Sequence, residues 1–91
     1  MPALASLSAA VQDGEILDFE RLRAEAEAAV NADERTQAVL AEDVFGCAQA
    51  TLSRAVNTAG KRYVKLQQRI IRELTPYVIE DERRFVVKRK P

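Results

Sequence analysis

Apolar positions recur at helical spacing along most of the chain and turn β-prone only near its end. From about Ile16 to Val30, residues Phe19, Leu22, Ala26, Ala29 and Val30 share one face, and Glu20, Arg21, Arg23, Glu25 and Glu27 take the other. Alanine and glutamate favour a helix there, and Asp13 or Asp18 is placed to cap its start. Asn31 to Glu34 reads as a break and a new start, because Asn or Asp with a nearby Glu matches a capping arrangement. A second helix, about Glu34 to Phe45, would bury Ala38, Leu40 or Ala41, and Val44, with Gly46 ending it. A third, about Ala48 to Ala59, turns Leu52, Ala55 and Val56 inward and ends at Gly60. A fourth, about Arg62 to Leu74, carries Tyr63, Leu66, Ile70 and Leu74 as an apolar stripe until Thr75-Pro76 stops it.

The remaining segments are short. Residues 1–14 are small and weakly patterned, which predicts a weakly ordered arm with one short helix around Leu4–Val11. Tyr77–Ile79 and Arg84–Val87 are β-prone runs around the polar Glu80–Arg83, which predicts a small hairpin followed by a basic tail over 77–90. The whole chain of 91 residues suits one domain. A chain of this length hides only roughly 60–65% of its unfolded surface, so a dimer interface would supplement a modest core.

Composition narrows the chemistry. There is no histidine, which removes the usual proton shuttle near neutral pH and the commonest transition-metal ligand. No Ser-His-Asp or Cys-His nucleophile can be assembled, and the three glycines, Gly14, Gly46 and Gly60, form no phosphate loop. The expectation is a protein that is not an enzyme and uses no cofactor or metal. The acidic group Asp13, Glu15, Asp18 and Glu20 lacks the glycine and final glutamate of a calcium loop. The single cysteine, Cys47, forms no internal disulfide and fits a small apolar plug in a reducing cytoplasm. No apolar run approaches a membrane span, and the start of the chain makes a poor secretion signal.

Net charge is zero, yet the halves differ. Residues 1–45 hold ten acids and three bases, a balance of −7; residues 46–91 hold eleven bases and four acids, a balance of +7. No acid occurs between Asp43 and Glu73. A stretch without carboxylates suits a polyanionic partner, although two halves of opposite sign also attract each other within a fold.

The stretch from Gln37 to Gly60 resembles a helix-turn-helix. Ala41 is the small residue where a second helix packs closely, Gly46 supplies the tight turn, Cys47 follows it, and Leu52 with Ala55 or Val56 anchors the second helix. In this unit the outer face of the second helix is presented to the DNA major groove. Gln49, Thr51, Ser53, Arg54 and Asn57 supply hydrogen-bonding side chains there, with Gln or Asn suited to adenine and Arg to guanine. Lys61, Arg62, Lys65, Arg69 and Arg72 then form a basic stripe on the amphipathic segment 61–75, spaced to track phosphates. Arg83, Arg84 and Lys88 to Lys90 extend the positive charge. One departure stands out: Gly46 lies five residues after Ala41, where four is usual, so either the first helix is longer or the turn is unusual.

Leu40-Ala41, Val44-Phe45-Gly46, Thr51-Leu-Ser-Arg-Ala-Val56 and the late Tyr77–Val87 segment are similar to the TrfB/KorA group of small plasmid repressors. Thr51–Val56 also resembles the matching stretch of AraC-type and phage regulators. The resemblance covers about residues 35–90. It implies operator binding to double-stranded DNA as a homodimer, with Gln49, Thr51, Ser53 and Arg54 in the base-reading surface and Tyr77–Val87 in the dimerising part.

The expected fold is therefore mainly α: a helix-turn-helix domain of four to five helices, with the unit itself over 34–60, and a small C-terminal β-hairpin, winged or dimerising. The expected function is a cytoplasmic, sequence-specific transcriptional regulator of a phage, plasmid or bacterial operon, a repressor that contacts no membrane. The alternative is a protein-interaction module, a phage inhibitor or assembly factor, working through acids such as Glu20, Glu25 and Glu27. A third possibility is an architectural DNA binder without base preference.

Overall fold

The computed structural model describes residues 14–81 and 84–90. All of the expected arm over 1–14 but Gly14, with its short helix and the candidate cap Asp13, lies outside the described residues, as does Arg83. The chain is mainly helical, with a small three-stranded antiparallel sheet.

The sheet begins earlier than the sequence pattern implies. Ile16–Leu17 is a strand, β1, and not the first turn of a helix. The reason is pairing: Ile16 and Leu17 oppose Val86 and Phe85, and Val87 donates its N–H to the Glu15 carbonyl at 2.8 Å. Strand alternation then sends Leu17 inward and leaves Ile16 outside. Helix α1, Phe19–Ala32, starts where Asp18 accepts from the Arg21 N–H at 2.7 Å. Its buried face is Leu22, Glu25, Ala26, Ala29 and Val30. Two assignments change as a result. Phe19, expected inside, is 38% exposed and stands edge-on to Phe85, with ring centroids 5.5 Å apart. Glu25, expected on the polar face, is buried at 4% because it falls three residues after Leu22 in the same phase.

Thr36, and not the Asn31–Glu34 region, caps the second helix by accepting from the Val39 N–H. Helix α2 is regular over Gln37–Val39 and continues as π-helix over Leu40–Phe45. Leu40, Ala41 and Phe45 are all buried, and Val44 is half-buried. Ala38, expected inside, is exposed because helix entry at Thr36 sets the phase from Leu40 onward. Gly46 ends α2 in the left-handed region (φ 61°, ψ 36°), a conformation other residues adopt at a cost. The N–H groups of Gly46 and Cys47 both turn back to the Ala41 carbonyl.

Helix α3, Gln49–Asn57, buries Leu52, Ala55 and Val56 as expected but stops before Ala59. Gly60 does not end it; Thr58 already does, in extended conformation. Gly60, at φ 122° and ψ 175°, instead leads into a 3₁₀ turn, Lys61–Tyr63, that opens helix α4, Val64–Leu74. Residues other than glycine essentially never occupy that backbone region. The buried face of α4 is Val64, Gln67, Ile70 and Ile71, whereas Tyr63, Leu66 and Leu74 are only half-buried. The expected stripe is thus rotated by part of a turn. Strands β2, Tyr77–Asp81, and β3, Phe85–Arg89, form the expected hairpin, and β3 lies in the middle of the order β1-β3-β2. The core is shared by all elements: Leu17, Leu22, Leu40, Leu52, Ile70, Ile71 and Val87 are wholly or nearly wholly buried.

Candidate nucleic-acid interface

The outer face of α3 follows directly from what it buries. With Leu52, Ala55 and Val56 inside, the helical repeat turns Gln49, Arg54 and Asn57 to solvent and leaves Thr51 and Ser53 half-buried at the margin. None of these side chains is sunk in the core. Asn57 is partly committed, since its Nδ2 donates to the Ser53 carbonyl at 2.8 Å. Ala48 precedes α3 without a side-chain cap, so the first-turn N–H groups have no side-chain acceptor.

Side chains from the neighbouring helices hold α2 and α3 by their carboxyl-terminal carbonyls. Such carbonyls have no partner within their own helix and must find one elsewhere. Arg23 of α1 donates to Val56 O at 2.7 Å. Gln67 of α4, wholly buried, donates to Ala55 O at 2.7 Å and Thr58 O at 2.9 Å. Arg69 of α4 donates to Val44 O at 2.9 Å and Phe45 O at 3.1 Å. The face of α3 is therefore oriented by two side chains, Arg23 and Gln67, in addition to its apolar contacts, and Arg69 holds the end of α2. Sequence reading missed all three roles. The signal for Gln67 was present: it lies in the same helical phase as Val64 and Ile71, where a polar residue needs internal partners.

The structure divides the basic stripe. Lys61, Arg62 and Lys65 are exposed, and Arg62 also lies over the Tyr63 ring at 5.6 Å. Arg69 reaches inward to the end of α2, so its guanidinium is a structural clasp as much as a surface charge. Arg72 pairs with its neighbour Glu73 at 3.4 Å. Among the described residues Arg54, Lys61, Arg62 and Lys65 have no carboxylate partner.

Charges of the first half behave differently. Arg21 meets Glu25 at 2.8 Å and Glu15 at 3.7 Å, Arg23 meets Glu20 at 2.7 Å and Glu27 at 3.3 Å, and Arg35 meets Asp33 at 2.9 Å. Each of these pairs is local, and none joins the acidic half to the basic half. The Arg23 hydrogen bond holds the Glu20 carboxyl below its ordinary range, and the Arg35 side chain lowers Asp33 to about 2. Of the acids expected to form an acidic docking face, Glu25 is buried, while Glu20 and Glu27 stay at the surface in ion pairs with Arg23.

Cys47 is half-buried against the core, where a small apolar plug was expected. No group of three or more metal-ligating side chains is assembled among the described residues, and no helix there is long and apolar enough to cross a membrane. Comparison with protein-family models, curated proteins and solved structures finds no match to this chain.

Proposed function

We propose that the protein binds double-stranded DNA and regulates transcription, with α2, the Gly46 turn and α3 acting as a helix-turn-helix. The observation that carries this reading is the outer face of α3: polar, free of carboxylates, held by side chains of α1 and α4, and followed by cations that have no acidic partner among the described residues. Gln49, Arg54 and Asn57 read bases, with Thr51 and Ser53 at the margin, and Lys61, Arg62 and Lys65 meet phosphates. Occupying an operator blocks or displaces polymerase, so the expected outcome is repression. The extra residue between Ala41 and Gly46 is absorbed within α2 as a π-helical turn, so the glycine still follows the last turn directly.

Duplex binding measured against salt tests the reading. Affinity should fall with a log–log slope of roughly −0.9 per phosphate contact. Arg54→Ala should cost about 1–3 kcal/mol on the preferred sequence and relax base preference, while Lys65→Ala should weaken all sequences alike and reduce the slope by about one. Failure to bind duplex at low salt, or a flat salt response, rejects the proposal. Equal affinity for selected and random duplexes would leave an architectural binder in place of a repressor.

A further inference from the structure

Among the described residues no strand pairs with the outer side of β2, because β3 is central and β1 lies on its far side. Lys90 N–H donates to Pro76 O at 2.9 Å, which fixes the phase of the ladder between β2 and β3. Bonded and non-bonded pairs alternate in an antiparallel ladder. Val78 and Glu80 therefore exchange bonds with Lys88 and Val86, and Tyr77 and Ile79 direct their main-chain groups outward. Tyr77 is already served, since Thr75 Oγ1 accepts from its N–H at 3.1 Å. The N–H and C=O of Ile79 find no partner among the described residues.

A groove of about 410 Å³ runs beside this edge, lined by Lys65, Gln68, Arg69 and Arg72 of α4 and by Val78 and Ile79. Lys65, Arg69 and Arg72 stand four and three residues apart, so they share one face of the helix, and all three are exposed. Acids do little to neutralise that face. Arg72 pairs with Glu73 at 3.4 Å, Arg69 gives part of its guanidinium to Val44 O and Phe45 O, and Lys65 has no carboxylate partner among the described residues. Positive charge and an unpaired main-chain donor and acceptor thus border one groove.

We propose that the outer edge of β2 takes an acidic peptide segment of another protein in extended conformation, which adds to the sheet as a fourth strand. Such addition draws its affinity from main-chain bonds and its selectivity from what the alternate side chains meet. The peptide residue opposite Ile79 exchanges both main-chain bonds with it and puts its side chain on the same sheet face as Ile79. Ile79 and its cross-strand neighbour Val87 pack into the core, so that face is the one turned to the helices and to the cations of α4. A glutamate or aspartate at this position enters the groove, and the residues two before and two after it follow the same face. The matching segment therefore alternates acidic residues with neutral or apolar ones, the latter falling on the side of Val78. Duplex DNA answers this edge only in part, because phosphate oxygens meet the cations and the Ile79 N–H but bring no donor to the Ile79 C=O.

The proposal does not rest on the DNA-binding reading, and the peptide is titrated in the absence of DNA. The probe is a short, blocked, fluorescently labelled peptide that alternates glutamate with threonine and valine. One control has the same composition with its glutamates consecutive, and a second has lysine in place of glutamate. Anisotropy with the full chain should show saturable binding that weakens as salt rises. The consecutive-glutamate peptide should bind at least fivefold more weakly, and the lysine peptide not at all. The Ile79 amide should exchange rapidly in the protein alone and slowly with the alternating peptide bound. Lys65→Glu alters only an exposed side chain and should raise the dissociation constant at least tenfold. Ile79→Pro removes the outward N–H and none of the β2–β3 ladder bonds, a substitution that strand edges tolerate, and should do the same. Should Ile79→Pro fail to fold, Lys65→Glu and the amide exchange decide. No binding at low salt overturns the proposal, as does equal affinity for the two acidic peptides or binding that leaves the Ile79 amide unprotected. Protection of Ile79 that grows with protein concentration alone also overturns it and assigns the edge to a second copy. Protection by duplex DNA and not by the peptide overturns it in favour of phosphates.

Discussion

Arg69 lies over the ring of Phe45, with its guanidinium carbon 5.6 Å from the ring centroid, and donates to the carbonyl of the same residue at 3.1 Å. A second bond to Val44 O at 2.9 Å completes the clasp. One side chain of α4 thus fastens both the apolar face and the exposed carbonyls at the end of α2. Charge-assisted hydrogen bonds contribute about 1.5–3 kcal/mol, and a cation over an aromatic ring adds about 0.5–1 kcal/mol at an exposed site. Arg69→Ala should therefore lower unfolding free energy by about 2–3 kcal/mol in urea titration. Arg69→Lys should recover only part of it, because an ammonium cannot reach two carbonyls in a fork. A change below about 0.5 kcal/mol would show that water serves these carbonyls equally well. Arg69 is consequently a poor reporter of phosphate contact, and Lys65 is the better one.

The same residue shows how far the sequence could be read. Spacing alone places Arg69 in a basic row with Lys65 and Arg72, and the row is real. What spacing cannot supply is the position of a neighbouring helix end, which decides that one guanidinium turns inward. Local rules located α3, its buried Leu52, Ala55 and Val56, and the hairpin, since these depend on phase and on turn residues. The short strand at Ile16–Leu17 escapes the helical pattern because two residues carry no period of their own. It exists through pairing with β3, far away in the chain. A related reason hides the burial of Glu25, which the pattern puts on the polar face, and of Gln67, to which the pattern gives no role. Each is polar by type but lies in the buried phase of its helix, and its partners come from other turns or other elements.

Gln67 offers the second test. Its amide spans Ala55 O and Thr58 O and so ties the end of α3 to α4. Gln67→Ala removes both bonds, strands two carbonyls and leaves a cavity at a wholly buried position. The combined loss should be about 2–5 kcal/mol. Gln67→Leu fills the volume without the donors, so it should fall between wild type and alanine. Amide exchange at the end of α3 should accelerate in both variants. Unchanged exchange there would mean that Arg23 alone secures that helix end.

Acid stability provides a third. Asp33 is lowered from 3.8 to about 2, first by the Arg35 side-chain hydrogen bond and then by the Arg35 N–H. A carboxyl whose folded value lies below its unfolded one stabilises fully above the unfolded value and loses that contribution as pH falls through the folded one. The window is thus from about 4 down to about 2. Arg35 is 47% exposed, so solvent screening holds the gain below about 1 kcal/mol. Asp33→Asn should flatten the stability–pH curve across this window and leave the slope above it unchanged. An identical acid limb in both proteins would show that the pair contributes nothing to folding.

The π-helical turn at Leu40–Phe45 yields a fourth prediction. Such turns widen a helix by one residue, and here the widened turn coincides with the extra position between Ala41 and Gly46. Ala41 and Phe45 remain buried on one side, while Glu42 and Asp43 bulge into solvent and contribute nothing to the core. Deleting Asp43 should let the helix relax to ordinary pitch. The bond from the Gly46 N–H to Ala41 O, which now spans five residues, would then span four as in a regular α-helix. Leu40, Ala41 and Phe45 keep their side of the helix, because a gap of three residues points nearly the same way as a gap of four. The shortened chain should fold with a melting temperature equal to or above that of wild type. A loss of more than about 2 kcal/mol would mean that the wide turn is required to bring Phe45 beneath Arg69.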